Sequence, residues 1–449
     1  MKNTEVPYKK ATDVIHKVAN KMKKPEYVKE ICNKKHNYIF VDKGSANQWS
    51  ELSLINGYPA LGVLFGELNQ VFPKEEWDLI GHRYMIKIQE SVEKNGIESL
   101  TFFSGACSVG MAAYALSCNG KRYNNFLNTI NEFILEQCPS ILKVITLQHN
   151  DVFMWDYDVI SGVCGLGRYL LFFKQEPIVN NIIKDILKYL VSLTEDINVF
   201  GYSVPKFYIS RKNQFLKSER DMYTKGNFNF GISHGITGPL AFMSIALLNG
   251  IEIKGQKTAI RKIVSILNTF KYTNNKIIYW PGRVNFDNFV HKKIQVNNRR
   301  ASWCYGVPGI ARAIYLAGKA LKDDTYKNIA IEAFNTLCSL KEEELELTSP
   351  TFCHGYAGLL QILNCMYNDT GLENLKEYKN KILNKILDFY HETTAFGFHN
   401  IDISNYITMS DIKNFDNCGL LSGSSGVVLS ILGAIKPSTV QWDSIFMIN

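Results

Sequence analysis

The sequence predicts an all-α barrel of helical hairpins, an inner ring of helices within an outer ring. Two observations carry this reading. A Gly-x-x-Gly turn followed by a long apolar stretch recurs seven times along the 449 residues, which makes a repeat architecture the first hypothesis. Between these stretches lie segments with apolar residues three or four apart and charges on the remaining face, the pattern of amphipathic helices.

The turns open at Gly57 (NGYPALGVLFGEL), Gly105 (SGACSVGMAAYAL), Gly162 (SGVCGLGRYLLFF), Gly235 (HGITGPLAFMSIALL), Gly306 (YGVPGIARAIYLAG), Gly355 (HGYAGLLQILNCM) and Gly423 (SGSSGVVLSILGAI). Two copies depart from the pattern: Ala60 replaces the second glycine in the first, and the second copy runs from Gly105 to Gly110. The stretches after the glycines are apolar nearly all round, so they belong inside. Glycine is needed at such turns for a positive φ or for close backbone approach. Segments such as PKEEWDLIGHRYMIKIQESVEK, PIVNNIIKDILKYLVSLTED and ENLKEYKNKILNKILDFYHE are half-apolar and belong outside. An open helical solenoid uses the same alternation.

Domain organisation follows from the repeat. Residues 54–449 form one toroid domain, and residues 1–53 an N-terminal helical segment packed on it, basic and amphipathic with no signal-peptide core. Hydrophobic residues make up 46% of the chain, enough for a substantial core. The uncharged run from Asn417 to Ile435 coincides with the last repeat and reads as an inner helix rather than a membrane span. Two intervals, near 196–229 and 272–300, are too long and too irregular for an outer helix alone. They contain aromatic and β-branched residues and the strand-like KIIYWPG. Both lead into glycine turns with candidate chemistry, where substrate contacts are usually carried.

The ten cysteines do not resemble a small disulfide framework. Cys107, Cys118, Cys164, Cys338, Cys365 and Cys418 fall mostly on apolar helical faces, and a reducing cytoplasm is expected. The net charge of +8, from 50 basic and 42 acidic residues, is spread over the outer segments. That argues against nucleic acid and is compatible with an acidic peptide or an anionic membrane surface.

Two short motifs stand apart: Trp303-Cys304-Tyr305-Gly306 and Cys353-His354-Gly355. Two cysteines and a histidine are zinc-binding residue types, and they occupy matching places in successive repeats. Three protein ligands leave a coordination position open for a substrate thiol. Adjacent residues cannot point the same way on a regular helix or strand, so Cys353 and His354 are expected in the turn before a helix.

With NFNFGISHGITGPL, NRRASWCYGVPGIARAIYLAGKAL and FCHGYAGLLQI, the chain from about Leu54 onward resembles the lanthionine synthetase C family, the stand-alone lantibiotic cyclases. The resemblance implies an α/α toroid of seven inner and seven outer helices around one Zn2+, with Cys304, Cys353 and His354 as ligands. It implies addition of cysteine thiols to dehydroalanine and dehydrobutyrine in a dehydrated precursor peptide, leader plus core, to close thioether rings. His234, before Gly235 in the fourth repeat, is the first candidate for proton transfer. Asp158 matches the family's acidic residue and is placed to orient a histidine, accept the thiol proton or hold Arg300. Arg300 is a candidate for stabilising enolate charge, and Tyr305 for hydrogen-bonding an intermediate. A separate dehydratase and an export transporter are implied partners, in the cytoplasm or at the inner face of the membrane. Two other readings share part of this logic: a prenyltransferase-like or glutathione-adding zinc enzyme, and a non-catalytic peptide-binding scaffold.

Overall fold

The computed structural model describes residues 2–41, 44–148, 151–274, 277–295, 299–402 and 413–449. The chain divides into two compact units, Met1–Glu132 with Leu347–Trp442, and Phe133–Glu346 with Asp443–Asn449. Each glycine turn opens a helix. In the first unit these are Tyr58–Val71, Ala106–Leu116, Tyr356–Thr370 and Ser424–Ile435. In the second they are Val163–Leu170, Thr237–Leu248 and Val307–Leu321. Their unbroken apolarity has the expected result: Thr237 to Ala246 and Ser424 to Ala434 are buried residue by residue.

The amphipathic segments form Trp77–Asn95, Asn124–Leu147, Pro177–Ser192, Gln256–Thr269, Asp324–Cys338 and Glu373–Asp388. They bury one stripe only, as with Ile182, Ile183, Ile186, Leu187 and Leu190. In the first unit Trp77–Asn95 packs on Tyr58–Val71, and Glu373–Asp388 on Tyr356–Thr370. In the second unit Pro177–Ser192, Gln256–Thr269 and Asp324–Cys338 likewise pack on the glycine helices that precede them. Ser424–Ile435 instead receives Lys2–Lys21 from the other end of the chain, through buried Ala11, Val14, Ile15, Val18 and Ala19.

Close approach, more than backbone handedness, explains the repeated glycine. A Cβ at any of the seven first glycines would come within 2.5 Å of a backbone atom, such as Ser349 O at Gly355. Only Gly306 among them also has a positive φ, +135°. At five of the seven the next residue then donates its N–H to the carbonyl seven positions back. Tyr58 donates to Glu51, Ala106 to Ser99, Ile236 to Asn229, Tyr356 to Ser349 and Ser424 to Asn417, at 2.8–3.1 Å.

Backbone bonds also tie neighbouring turns together. In the first unit Leu54 N donates to Phe103 O (2.8 Å), Leu420 N to Leu54 O (2.9 Å) and Cys353 N to Leu421 O (2.8 Å). The repeats of this unit therefore run second, first, seventh, sixth, with the first and last as neighbours. In the second unit Val159 N donates to Ser233 O and Ile232 N to Cys304 O, both at 3.1 Å, joining the third, fourth and fifth repeats.

The two long intervals pair with each other in the second unit. Asn227–Asn229 lies antiparallel to Arg283–Asn285, with Asn229 opposite Arg283. Behind them Phe228 stacks on Phe289, with ring centroids 3.6 Å apart, and Phe289 on Phe270 at 5.2 Å. Two hairpins, Asp196–Val199 with Tyr202–Pro205 and Tyr272–Asn274 with Ile277–Tyr279, and a short helix, Lys217–Met222, complete the intervals. Part of the 272–300 interval lies outside the described residues.

Four of the six cysteines read onto helical faces, Cys107, Cys164, Cys338 and Cys365, lie in helices, and two do not. Cys118 sits in a turn with φ +52°, and Cys418 lies in the loop before Gly423, so neither occupies a helical face. None of the ten cysteines, all of them among the described residues, is joined in a disulfide. Among the described residues no helix is long and apolar enough to cross a membrane.

Candidate functional site

The second unit brings candidate residues together from three successive turns. The short helix Met154–Tyr157 ends as Asp158 N donates to Met154 O. That leaves the Asp158 carboxylate over the start of the next turn, where Oδ1 accepts the N–H of Ser161 (2.6 Å) and of Gly162 (2.8 Å). The Val159–Ser233 backbone bond brings the fourth-repeat turn alongside, and Asp158 Oδ2 meets His234 Nδ1 at 2.5 Å. The aspartate side chain is 1% exposed and the histidine 36%. A buried carboxylate on Nδ1 selects the tautomer with its proton there, so Nε2 is left as the basic nitrogen.

The Ile232–Cys304 backbone bond then joins the fifth turn. Cys304 is 9% exposed, with Ser302 Oγ 3.6 Å from its Sγ. Ser302 Oγ also donates to Tyr305 O at 2.6 Å, fixing the turn. The Tyr305 hydroxyl accepts from Asn229 Nδ2 at 2.9 Å and from Arg283 at 3.5 Å, and Arg283 pairs with Glu219 at 2.5 Å. Burial opposes the charge on Arg283, but Tyr305 and Glu219 more than offset it and its pKa is raised. Enclosure raises the pKa of the Tyr305 phenol, with Arg283 and Asn229 pulling against that rise. Arg300 is half-buried, and its carbonyl oxygen lies against Gly306.

The first unit holds the other candidates. Cys353 and His354, both partly exposed, occupy the turn before Tyr356–Thr370. Behind this turn the hydroxyls of Ser349 and Thr351 bond each other at 2.9 Å and reach Asn400 Oδ1 at 3.3 and 3.4 Å.

The three candidate zinc ligands are thus divided, Cys304 in the second unit and Cys353 with His354 in the first. Among the described residues no three His, Cys, Asp or Glu form a group that could hold a metal ion. The donor chemistry itself suits zinc: two cysteines outside any disulfide, each two residues before its glycine, and an imidazole beside one of them.

Asn229, Arg283 and Glu219 were not among the residues expected at the site. Asn229 stands inside the NFNFGISHG segment, but no periodicity announces the strand register that sets Arg283 beside it.

Comparison with known proteins bears on all of this. A family described as lanthionine synthetase C-like protein matches residues 48–447. The nisin biosynthesis protein NisC of Lactococcus lactis subsp. lactis is 26% identical over 355 residues, 78% of this chain and 82% of that protein. The lacticin 481/lactococcin biosynthesis protein LcnDR2 of the same organism is 24% identical over 298 residues, 60% of this chain and 30% of that protein. The solved structure of a nisin cyclase superposes with a TM-score of 0.74, covering 89% of this chain and 92% of that one at 24% identity, a likeness of fold.

Proposed function

The chain belongs to the lanthionine synthetase C-like family, and from that premise we propose that it is a lantibiotic cyclase. It adds cysteine thiols of a dehydrated precursor peptide across dehydroalanine or dehydrobutyrine, closing lanthionine and methyllanthionine rings. The observation that carries the reading is the Asp158–His234 pair, tied through Ile232 to the turn of Cys304 and Tyr305. The neighbouring first and last repeats support a closed α/α toroid as its frame.

The addition forms one C–S bond, breaks one S–H bond and one C=C π bond, and places one proton on Cα. The chain must therefore take a proton and return one. His234 does this through Nε2, while Asp158 holds Nδ1–H and stabilises the imidazolium when it forms. Asp158 stays fixed because its second oxygen is engaged by Ser161 and Gly162. Arg300 and Tyr305 are placed in this reading to meet the negative charge that develops on the attacked residue. Cys304, Cys353 and His354 would hold zinc, which when bound favours the thiolate, the nucleophilic form of an incoming thiol. The substrate is a leader-bearing precursor, and the reading requires a dehydratase upstream and an exporter downstream, in the cytoplasm or at its membrane face.

A dehydrated precursor tests the proposal. Because ring closure leaves the mass unchanged, free thiols are counted by alkylation and mass spectrometry. Spontaneous addition also closes some rings, so the decisive measure is configuration at each new Cα. The enzyme yields one configuration faster than the buffer control, since a donor on one face fixes the geometry. Binding without any change in rate or configuration leaves only the scaffold reading.

A further inference from the structure

We infer that Arg283 and Asn229 are positioning residues that set Tyr305 as a hydrogen-bond donor to the oxygen anion of the attacked residue. The inference rests on the cyclase reading and assigns the phenol its direction of donation.

A phenol oxygen has one proton to give and lone pairs to receive. At Tyr305 the receiving side is occupied by two groups that present only N–H. Arg283 has no acceptor, so its contact with the phenol runs one way. Asn229 has both amide ends, but its Oδ1 accepts the Gly231 N–H at 3.0 Å, which leaves Nδ2 for Tyr305 at 2.9 Å. The β pairing that sets Asn229 opposite Arg283 aims both groups at one oxygen.

Arg283 is itself held from behind, since Glu219 on the Lys217–Met222 helix takes its other nitrogen at 2.5 Å and both side chains are under 20% exposed. The tyrosine ring is clamped as well. A Cβ at Gly231 would lie 2.6 Å from its Cε1, and one at Gly282 2.9 Å from its Cδ1. Ring, lone pairs and backbone carbonyl, the last bonded to Ser302, are all committed. The hydroxyl proton is what remains to be given. An oxygen anion that appears only as the thiol adds is the acceptor such a preset donor serves best.

Two measurements test this. In ring closure on a dehydrated precursor, Tyr305→Phe should lower kcat about 10²-fold with KM near wild type, the mark of an interaction made in the transition state. Arg283→Met, paired with Glu219→Gln so that no buried carboxylate is stranded, should lower kcat in the wild-type background and add nothing to Tyr305→Phe. Arg283→Lys, which folds without that pairing and keeps the cation but loses the fork, should fall between. Losses that multiply, or full activity in Tyr305→Phe, overturn the proposal. The second measurement needs no substrate. The tyrosine Raman doublet in the wild-type minus Tyr305→Phe difference spectrum should be of the acceptor type. It should shift toward the donor type in Arg283→Met/Glu219→Gln and less so in Arg283→Lys. A doublet insensitive to both overturns the proposal. A wild-type protein that closes no ring refutes the cyclase reading separately, and the Raman result still decides what sets the phenol.

Discussion

His234 Nδ1 lies 2.5 Å from Asp158 Oδ2 while Asp158 Oδ1 takes the N–H groups of Ser161 and Gly162. One carboxylate therefore does two jobs, closing the third turn and orienting the histidine of the fourth. The pair exists because the Val159–Ser233 backbone bond sets those turns side by side. The two jobs separate by mutation, since an amide keeps Oδ1 as an acceptor but removes the charge facing His234.

Asp158→Asn should leave the fold intact by circular dichroism and slow ring closure by about 10²–10⁴-fold, the scale of general acid–base catalysis. Asp158→Ala should add a stability loss of about 1–3 kcal/mol, because two N–H groups lose their acceptor. Equal activity in the asparagine variant and the wild type would remove the carboxylate from the mechanism.

Metal analysis separates His234 from the candidate ligands. Purified protein should carry about one zinc per chain, most of it lost in Cys304→Ala or Cys353→Ala. His234→Ala should retain zinc while ring closure falls about 10²–10⁴-fold. Zinc lost from the His234 variant would make that histidine a ligand. Zinc retained in the double cysteine variant would remove the metal site.

Much of this was legible in the chain, and what was not has a physical reason. The Cys353–His354 turn was readable because adjacent residues cannot face one point from a regular helix or strand. Asp158 was readable as a histidine partner; that its other oxygen closes the turn at Ser161 and Gly162 was not. The Asn229–Arg283 pair was hidden, because a register between strands in separate irregular intervals leaves no periodic trace. The N-terminal helix was visible as amphipathic, but nothing in its own residues names Ser424–Ile435 as the helix it covers. At the glycines, local sequence could not choose between handedness and close approach. The backbone packed against each of the seven chose close approach, with positive φ added at Gly306.

Gly306→Ala should therefore cost more than an ordinary glycine replacement. It must hold φ near +135° and place a Cβ 2.0 Å from Arg300 O. The expected loss is about 1–3 kcal/mol in denaturant melts, and ring closure should fall as the turn of Cys304 and Tyr305 moves. Gly371→Ala, with φ +68° and nothing within 4 Å, should cost about 1 kcal/mol and leave activity unchanged. Equal effects of the two would refute the close-approach account.

Asp156 gives the fold a pH dependence. Burial raises its pKa from 3.8 to about 6, against the pull of the Phe153 N–H and with a smaller push from Asp158. A pKa raised by folding means that the folded chain holds the proton more tightly. Its contribution to stability is full below pH 3.8 and is lost as the pH rises through 6. Asp156→Asn cannot lose a proton, so its stability relative to wild type should climb by about 2–3 kcal/mol between pH 4 and pH 7 and then level off. Urea melts across that range measure the difference, and a difference that stays flat would show that Asp156 is ionised in the fold throughout.

The last prediction concerns Lys2–Lys21, which is either an integral outer helix or a loosely attached extension. Ile15 and Val18 are fully buried in its packing, whereas Lys10 faces solvent and pairs with exposed Asp388 at 3.4 Å. Ile15→Asp puts an unpaired charge into the buried face of this helix and should cost about 3–5 kcal/mol. Lys10→Ala should stay within about 0.5 kcal/mol, since exposed ion pairs contribute little. As an integral helix, Lys2–Lys21 cannot detach without exposing the apolar face of the last repeat, so Ile15→Asp should move the main thermal transition. An extension would instead detach in the variant and leave that transition where it was, and Lys2–Lys21 would then not be the outer partner of the seventh repeat.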